Sequence, residues 1–323
     1  MQEGSEAIRL SGDLDVKNLV TGVVACVIGV ENDENNSFVV EDICFAGPPK
    51  CAAERPLPFG EPKFVLLVSG LGFSRNEPAI LRAAREMLMD YLIAINEDRK
   101  EKANHIVKLI VAGNSVGKNV RKEETKLLAS SAPQWAQKSK AYSVAVVKLM
   151  DEWLSEVGKY VQVDVMPGET DPASMWLPQQ AFHPAILPSC CSKNTIRFPT
   201  NPYAATFDGT LIMGTSGQNV NTIRAYSEMD DGVQIMCRLL EWNHQAPIAP
   251  DCLHCYPFTD KDPFIFQELP HVYFAGNQPT YNSMMTDIDG TNTRLISIPD
   301  FETTYNAVLL NLSDLTCEIA SFA

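Results

Sequence analysis

Apolar and polar positions along this chain fall into two regimes. Up to residue 45 the apolar residues come in short runs rich in Val, Ile, Thr and Phe (IRLSG, NLVTGVVACVIGV, SFVVEDICF). Turn-prone segments such as Gly12-Asp13 and residues 32–36 part these runs, and the pattern predicts antiparallel strands. From Phe64 onward apolar runs alternate with stretches of helical period, as in a layered α/β domain. Phe64–Val68 is apolar throughout and predicts a buried strand that ends in Ser69-Gly70-Leu71-Gly72. Residues 78–95 predict a helix, and residues 105–112 predict a second strand that ends in Gly113-Asn114-Ser115. Residues 137–157 predict a further helix with Tyr142, Val146, Leu149, Trp153 and Val157 on one core-facing side.

The next strand organises the remainder: VQVDVMPGETDP, residues 161–172, is an apolar run that leads into a turn carrying Gly168, Glu169 and Asp171. After it, the Pro-rich stretch LPQQAFHPAILP reads as extended surface backbone. Asn201-Pro202-Tyr203 predicts a turn before a short strand around Leu211-Ile212-Met213, which breaks into residues 214–219. A helix follows with Val233, Met236, Cys237 and Leu240 on one side. HVYFAGN, LISIPDF, AVLLNL and TCEIA then predict a β meander that completes a sandwich of two sheets. Between the two regimes, residues 46–62 hold five prolines and two glycines and predict a linker. The expected division is residues 1–50, 51–62 and 63–323. Three strands are too few to close a β-barrel, so closure of the first unit calls for later residues or for strands upstream of Met1.

Composition narrows the functional classes. The chain has 323 residues, 45% hydrophobic and 20% charged, enough for one large globular domain and a smaller one. No window approaches roughly 18 uninterrupted apolar residues, and Met1-Gln2-Glu3-Gly4 opens on an acid, so neither a membrane span nor a secretory leader is readable. Nine cysteines in that setting read as reduced thiols of a cytosolic or nuclear protein. A formal charge of −14 argues against the chain wrapping nucleic acid by itself, because such affinity rests on Lys and Arg neutralising phosphates. Acidity suits contact with basic proteins equally well.

The strand ends are where chemistry is expected. Calcineurin-like phosphoesterases hold two metal ions at strand ends in the patterns Asp-x-His, Gly-Asp-x-x-Asp, Gly-Asn-His-Asp/Glu and Gly-His-x-His. The ions activate water and brace the phosphate. The sequence resembles that series in order but not in ligands. Ser69-Gly70-Leu71 stands at the first end, and Gly113-Asn114, with Lys118 nearby, at the second. Glu169-Thr170-Asp171 stands at the third and Gly276-Asn277-Gln278-Pro279 at the last. Hydroxyls and amides cannot supply the charge that a pair of divalent ions requires. The expectation is therefore no catalytic, cofactor-binding or metal-binding residue, with Ser69, Asn114, Glu169, Thr170, Asp171 and Asn277 as vestigial metal-site positions. Glu169 and Asp171 then cap the following backbone amides. The competing reading is an active metal-dependent phosphodiesterase or nuclease with substitute ligands.

Other motifs carry less. Cys252-Leu253-His254-Cys255 is a C-x-x-C without a second spaced pair, since Cys190-Cys191 are adjacent, and it reads as separate thiols. Residues 214–217 resemble a phosphate-cradling loop but lack its Lys and do not clearly open a helix. His183 and His244 read as satisfied histidines rather than bases. Phe38 and Phe45 are the aromatics of the first unit that could stack on single-stranded DNA, too few to favour that use.

A set of longer blocks carries a sharper resemblance. These blocks are Leu19-Val-Thr-Gly22, Asp164-Val-Met-Pro-Gly168, Leu177-Pro-Gln-Gln180, Thr200-Asn-Pro-Tyr203 through residues 214–219, Cys255-Tyr-Pro-Phe258, Asp262-Pro-Phe-Ile-Phe266 and Pro270-His-Val-Tyr-Phe274. Together they closely resemble the small (B) subunits of eukaryotic DNA polymerase delta, from about Ile8 to the C-terminus. The resemblance implies an α/β (α+β) fold: a partial OB-fold barrel followed by an inactivated calcineurin-like phosphoesterase, a two-sheet sandwich flanked by helices. It also implies a nuclear, non-catalytic scaffold without cofactors. Its expected partners are the Cys-rich C-terminal domain of the catalytic subunit and a third accessory subunit that binds the sliding clamp. DNA is then met only through the complex, in replication and repair synthesis, and no membrane is involved. The family has a longer N-terminal region, so the resemblance implies that this chain begins partway into the barrel.

Overall fold

Strands that are apolar on both faces need cover on both sides, and the layers of this protein supply it. The computed structural model describes residues 7–32, 37–49, 60–93, 100–118, 120, 133–288 and 290–323. Most of the predicted linker and the turn at 33–36 lie outside those residues. The first unit holds β1 (Arg9–Gly12), β2 (Ala25–Asn32) and β3 (Ser37–Phe45) in the order β1-β3-β2. β2 and β3 are antiparallel, as the pattern predicts, but β1 runs parallel to β3.

The run read as one strand from Asn18 starts only at Ala25. Leu19, Val20 and Val23 instead pack into the core of the larger unit. Gly22 sits there at φ +81°, so close to the Pro247 carbonyl that an added Cβ would lie 1.9 Å from its oxygen. A Cβ is excluded on both counts.

The larger unit has two sheets. One has the order β14-β13-β4-β5-β6-β7, with β4 (Phe64–Val68), β5 (Ile106–Ala112), β6 (Gln162–Met166) and β7 (Ile196–Arg197) parallel in succession. β13 (Asn306–Asn311) and β14 (Cys317–Ser321) are added antiparallel. The other has the order β11-β12-β10-β9-β8, built from β8 (Tyr203–Phe207), β9 (Thr210–Thr215), β10 (Val272–Gln278), β11 (Asn282–Ile288) and β12 (Thr291–Pro299). Its centre, β9-β10-β12, is parallel.

Alternate residues of the strands face opposite layers. Val65, Leu67, Ile110 and Met166 meet Tyr203, Ile212, Phe274 and Ile298 between the sheets. Phe64, Leu66, Val68, Leu109 and Val165 face outward onto α1 (Ala79–Leu92) and a long later helix. Two short helices complete this side: α2 (Lys100–Ala103), and α4 (Pro188–Cys191) after the long helix α3 (Pro133–Val157). On the far side, α5 (Gln218–Tyr226) and α6 (Gly232–Glu241) cover the second sheet through Val220, Ile223, Met236 and Leu240. The last helix, α7 (Phe301–Thr304), marks where the chain leaves β12 and crosses to the first sheet. The molecule is thus a mixed α/β protein: a two-sheet sandwich flanked by helices, with a small open sheet before it.

Several elements differ from the sequence pattern. The buried stripe of α3 is Val146, Met150, Leu154 and Val157, with Trp153 packed against it, while Leu149 is exposed. Tyr142 of that predicted stripe has its side chain outside the described residues. The stretch after residue 176 is not surface backbone: Leu177, Gln179, Phe182 and Leu187 are buried. Its chain is held by isolated bridges from Leu177 to Cys255 and from Gln179 to Asn201. The closing strands are not a simple meander either. β10 and β12 lie side by side in parallel, β11 is an added edge, and β13 and β14 belong to the other sheet.

One polar cluster interrupts the inter-sheet layer. Lys108 Nζ lies 2.8 Å from Asp164 Oδ1, Tyr203 donates to Asp164 Oδ2 at 2.7 Å, and the ammonium stands 4.5 Å from the Phe207 ring centroid. Burial and the neighbouring carboxylate push the Tyr203 hydroxyl pKa well up, so it stays a donor. Removing one partner would leave the other buried and uncompensated. Lys108→Ala is expected to lower the free energy of urea unfolding by about 3–5 kcal/mol, and the apolar triple change Lys108→Met, Asp164→Leu, Tyr203→Phe to recover most of that loss.

Candidate functional site

In parallel sheets, ligand sites form beyond the C-terminal ends of the strands, and here those ends converge from both sheets. β4 ends at Ser69, β5 at Gly113-Asn114, β6 at residues 168–171, β9 at Ser216, and the last turns of β10 carry Asn277. The structure therefore brings Ser69, Asn114, Thr170, Asp171 and Asn277 together around one set of crossings. Glu169 points outward and is exposed, lining a neighbouring cavity.

The approach of these turns is close enough to select glycine. A Cβ on Gly113 would lie 2.6 Å from Ser216 Cβ and 2.8 Å from Gly168 Cα, and one on Gly168 would lie 2.4 Å from the Asn114 nitrogen. Backbone groups crowded in this way are shut off from water and need partners inside the protein. Side-chain amides and hydroxyls provide them. Ser69 Oγ accepts from the Asn277 N–H at 2.7 Å and donates to the Pro299 carbonyl at 3.2 Å. The Asn277 amide nitrogen donates to Ala112 O at 3.2 Å and Ser216 O at 2.8 Å, which ties the two sheets together. Asn114 Oδ1 accepts from the Thr170 N–H at 3.1 Å, and Thr170 Oγ1 donates to Val116 O.

Asp171 is the acid at the centre. Its Oδ1 accepts from the Val116 N–H at 2.9 Å and its Oδ2 from the Gly168 N–H at 2.8 Å. The expected cap on the following amides is instead a clasp on a preceding amide and on another turn. Burial pushes the Asp171 carboxyl up to about 6, against the pull of backbone N–H groups of Val116, Gly168, Asn114 and Ser115. Lys118 pairs with Asp300, whose other oxygen accepts from the Glu302 N–H at 3.1 Å. Glu302 beside them has its carboxyl pKa raised by burial first and by the Asp300 charge second.

Around these turns lies a second ring of amides that the sequence pattern did not single out as a site. Asn201 Oδ1 accepts from the Ser216 N–H at 3.2 Å, and its amide nitrogen faces Gln179 Oε1, Ser216 Oγ and Gln218 Oε1 within 2.8 Å. Gln179 in turn donates to Gly168 O at 3.0 Å. Two of the sequence blocks meet here: residues 177–180, and the two ends, 200–203 and 214–219, of another. What these segments share in the sequence is an Asn or Gln in each: Gln179, Asn201 and Gln218. The loop at 214–217 does open a helix: Gly217, at φ +90°, is the N-cap of α5, and Thr215 Oγ1 accepts from its N–H at 3.2 Å. The loop is filled by its own side chains rather than open toward an anion.

Chemically, this arrangement is a knot of neutral hydrogen bonds around one clasped acid. Among the described residues, no three His, Cys, Asp or Glu side chains come together as a cation would need. The donors present, mostly amides already committed to backbone partners, do not fit a pair of divalent ions. Asn277 Oδ1 and Ser115 Oγ, both buried, have no hydrogen-bond partner among the described residues.

Beside the turns is a cavity of about 380 Å³ lined by Glu169, Met175, Gln218, Tyr226, Cys252 and His254. Cys252 and Cys255 are free thiols. His244 is engaged on both ring nitrogens, by Asp262 Oδ2 at 2.9 Å and the Ala246 N–H at 3.0 Å, and His183 accepts from the Ala185 N–H at 3.2 Å.

The Asp171 carboxyl generates a testable pH dependence. Its folded-state pKa lies above the ordinary 3.8, so its contribution to stability is greatest below about pH 4 and falls as pH rises toward about 6. Urea unfolding of the wild type and Asp171→Asn should show the wild type losing roughly 3 kcal/mol relative to the variant over that window, with a constant difference above it.

Comparison with known proteins places the chain. Residues 65–283 match the family of the DNA polymerase alpha/epsilon B-subunit, and residues 1–43 match the DNA polymerase delta subunit OB-fold domain. The whole chain is 38% identical to the DNA polymerase delta small subunit of Arabidopsis thaliana, over 72% of that protein. It is 34% identical to DNA polymerase delta subunit 2 of Drosophila melanogaster, over 73% of that protein. Against the DNA polymerase delta small subunit of Saccharomyces cerevisiae, 98% of the chain aligns at 29% identity with 69% of the relative. An archaeal phosphodiesterase of known structure aligns with 80% of the chain, and 98% of its own, at 10% identity and a TM-score of 0.35.

Proposed function

The chain belongs to the DNA polymerase alpha/epsilon B-subunit family, and from that membership we propose that it is a non-catalytic accessory subunit of a DNA polymerase delta complex. The observation that carries the non-catalytic half of this reading is the clasp at Asp171. Both oxygens of the acid at the crossing accept backbone N–H groups, and the neighbouring amides are committed in the same way. Ligating a metal there would require breaking the bonds that hold the turns together.

In this reading Ser69, Asn114, Glu169, Thr170, Asp171 and Asn277 are vestigial positions of a former metal site. Residues 1–50 act as an OB unit and residues 63–323 as the pseudo-phosphoesterase. The protein works in the nucleus as a scaffold, in replication and repair synthesis. It holds the Cys-rich C-terminal domain of the catalytic subunit and a third accessory subunit that binds the sliding clamp. The charge of −14 supports protein rather than DNA as the direct partner. Among the described residues no helix is long and apolar enough to cross a membrane.

Co-expression with the C-terminal domain of a polymerase delta catalytic subunit is expected to give a complex that survives gel filtration, and failure to co-purify would remove the scaffold reading. In parallel, metal analysis and a nuclease assay in manganese should find neither bound metal nor turnover. Two ions per chain, with activity abolished by Asp171→Asn, would establish the phosphodiesterase reading in its place.

A further inference from the structure

We propose that Cys26 and Cys44 form a reversible intrachain disulfide, which makes the β2–β3 pair a site of thiol oxidation. The two residues are direct partners in the antiparallel register, between the pairs Ala25–Phe45 and Val27–Ile43, in a stretch with no register shift. The bulge comes only later, between Ile28 and Gly29. Directly opposed residues of antiparallel strands project from the same face, with Cα atoms about 4.5–5.5 Å apart, inside the range of about 4.4–6.8 Å that a disulfide spans. Both thiols are free and exposed, so an oxidant reaches them without unfolding the sheet.

Their surroundings separate them from the other cysteines. Val27 and Ile43, one residue on, are half-buried on the opposite face, and Phe45 packs edge-on against Trp242 with centroids 6.3 Å apart. The thiol pair is thus on the outer face of the sheet, together with Ile28, Val30 and Val39, all exposed. By contrast, Cys190 is buried and its thiol pKa is raised by burial and by Asp151, which makes it a poor nucleophile.

The reaction is exchange with a small disulfide such as glutathione disulfide. One thiolate attacks a sulfur of glutathione disulfide, the glutathione S–S bond breaks, one glutathione thiolate leaves, and a mixed disulfide remains. The second protein thiolate then attacks the protein sulfur of that mixed disulfide and expels the second glutathione. The protein loses two electrons and two protons, and glutathione disulfide is reduced to two glutathione molecules. An exposed bridge between adjacent strands is of the labile kind that thiols reduce again. When formed, it fastens the two long strands of the first unit to each other on the side opposite their contact with Trp242.

The test uses the full chain. It is equilibrated with glutathione disulfide, its remaining thiols are alkylated, and it is cut with trypsin. No Lys or Arg lies between Asn18 and Lys50, so both cysteines fall in one peptide, 18–50, which separates them from Cys51. The expected product is that peptide with two hydrogen masses lost and no alkyl group added. Dithiothreitol should reverse the change, and further cleavage after Glu31 and Glu41 should leave two pieces joined through sulfur. Oxidation should also raise the melting temperature of the wild type but not of Cys26→Ser or Cys44→Ser, while Cys252→Ser behaves as the wild type. Peptide 18–50 carrying two alkyl groups after oxidation, or Cys44 recovered joined to Cys51 or to a second chain, would overturn the proposal.

Discussion

The close crossing of the strand ends at Gly113, Gly168 and Ser216 is the constraint from which the rest of the larger unit follows. Two sheets packed face to face bring their C-terminal ends to one place, and there the backbones approach to distances that exclude even a Cβ. Carbonyl and N–H groups turned inward at such a crossing are costly unless bonded. Neutral side chains that carry both a donor and an acceptor can bond either kind of group. Asparagine and glutamine meet that requirement, which is why Asn114, Asn201, Asn277, Gln179 and Gln218 gather here. Two buried acids at the crossing are answered directly: Asp171 by backbone N–H groups, Asp300 by Lys118.

The same logic explains the ion pair between the sheets. Lys108 and Asp164 sit on neighbouring parallel strands and face the mainly apolar layer between the sheets. Tyr203, from the edge of the opposite sheet, completes the carboxylate. A polar triad whose members come from both sheets fixes their relative position in a way that an apolar layer alone does not.

What the sequence shows and hides follows from how local each interaction is. β4 is legible because each of its residues is apolar and buried, and β5 and β6 because their apolar runs continue around the buried Lys108 and Asp164. Ser69 and Asn114 are legible for the same reason, since they follow such runs, while residues 169–171 lie in the turn after β6 and Asn277 lies within β10 itself. Of the β8–β9 hairpin only the run Leu211–Met213 stands out, because both strands are short and alternate in exposure, and the nine-residue helix after Gly217 merges into the loop before it. In α3, Leu149 and Met150 are both apolar, and only the packing decides which one is inside. The Pro-rich stretch at 177–188 looks like surface because its backbone hydrogen bonds join it to Asn201, His254 and Tyr256, far along the chain. The amide network is hidden most deeply: Asn277 and Ser69 are 208 residues apart, and no local pattern links them.

The first unit bears on the role proposed for the chain, through the face it turns to the larger unit and the face it leaves open. Its small sheet is moored on one face by Phe45 against Trp242, by Gly22 under Pro247 and by the Lys17–Glu228 pair. The opposite face shows Ile28, Val30 and Val39 to solvent. Apolar side chains grouped on an exposed sheet face favour contact with protein, while phosphate recognition calls for Lys and Arg. An exposed apolar face on a chain with a formal charge of −14 supports the proposed role of holding polypeptides.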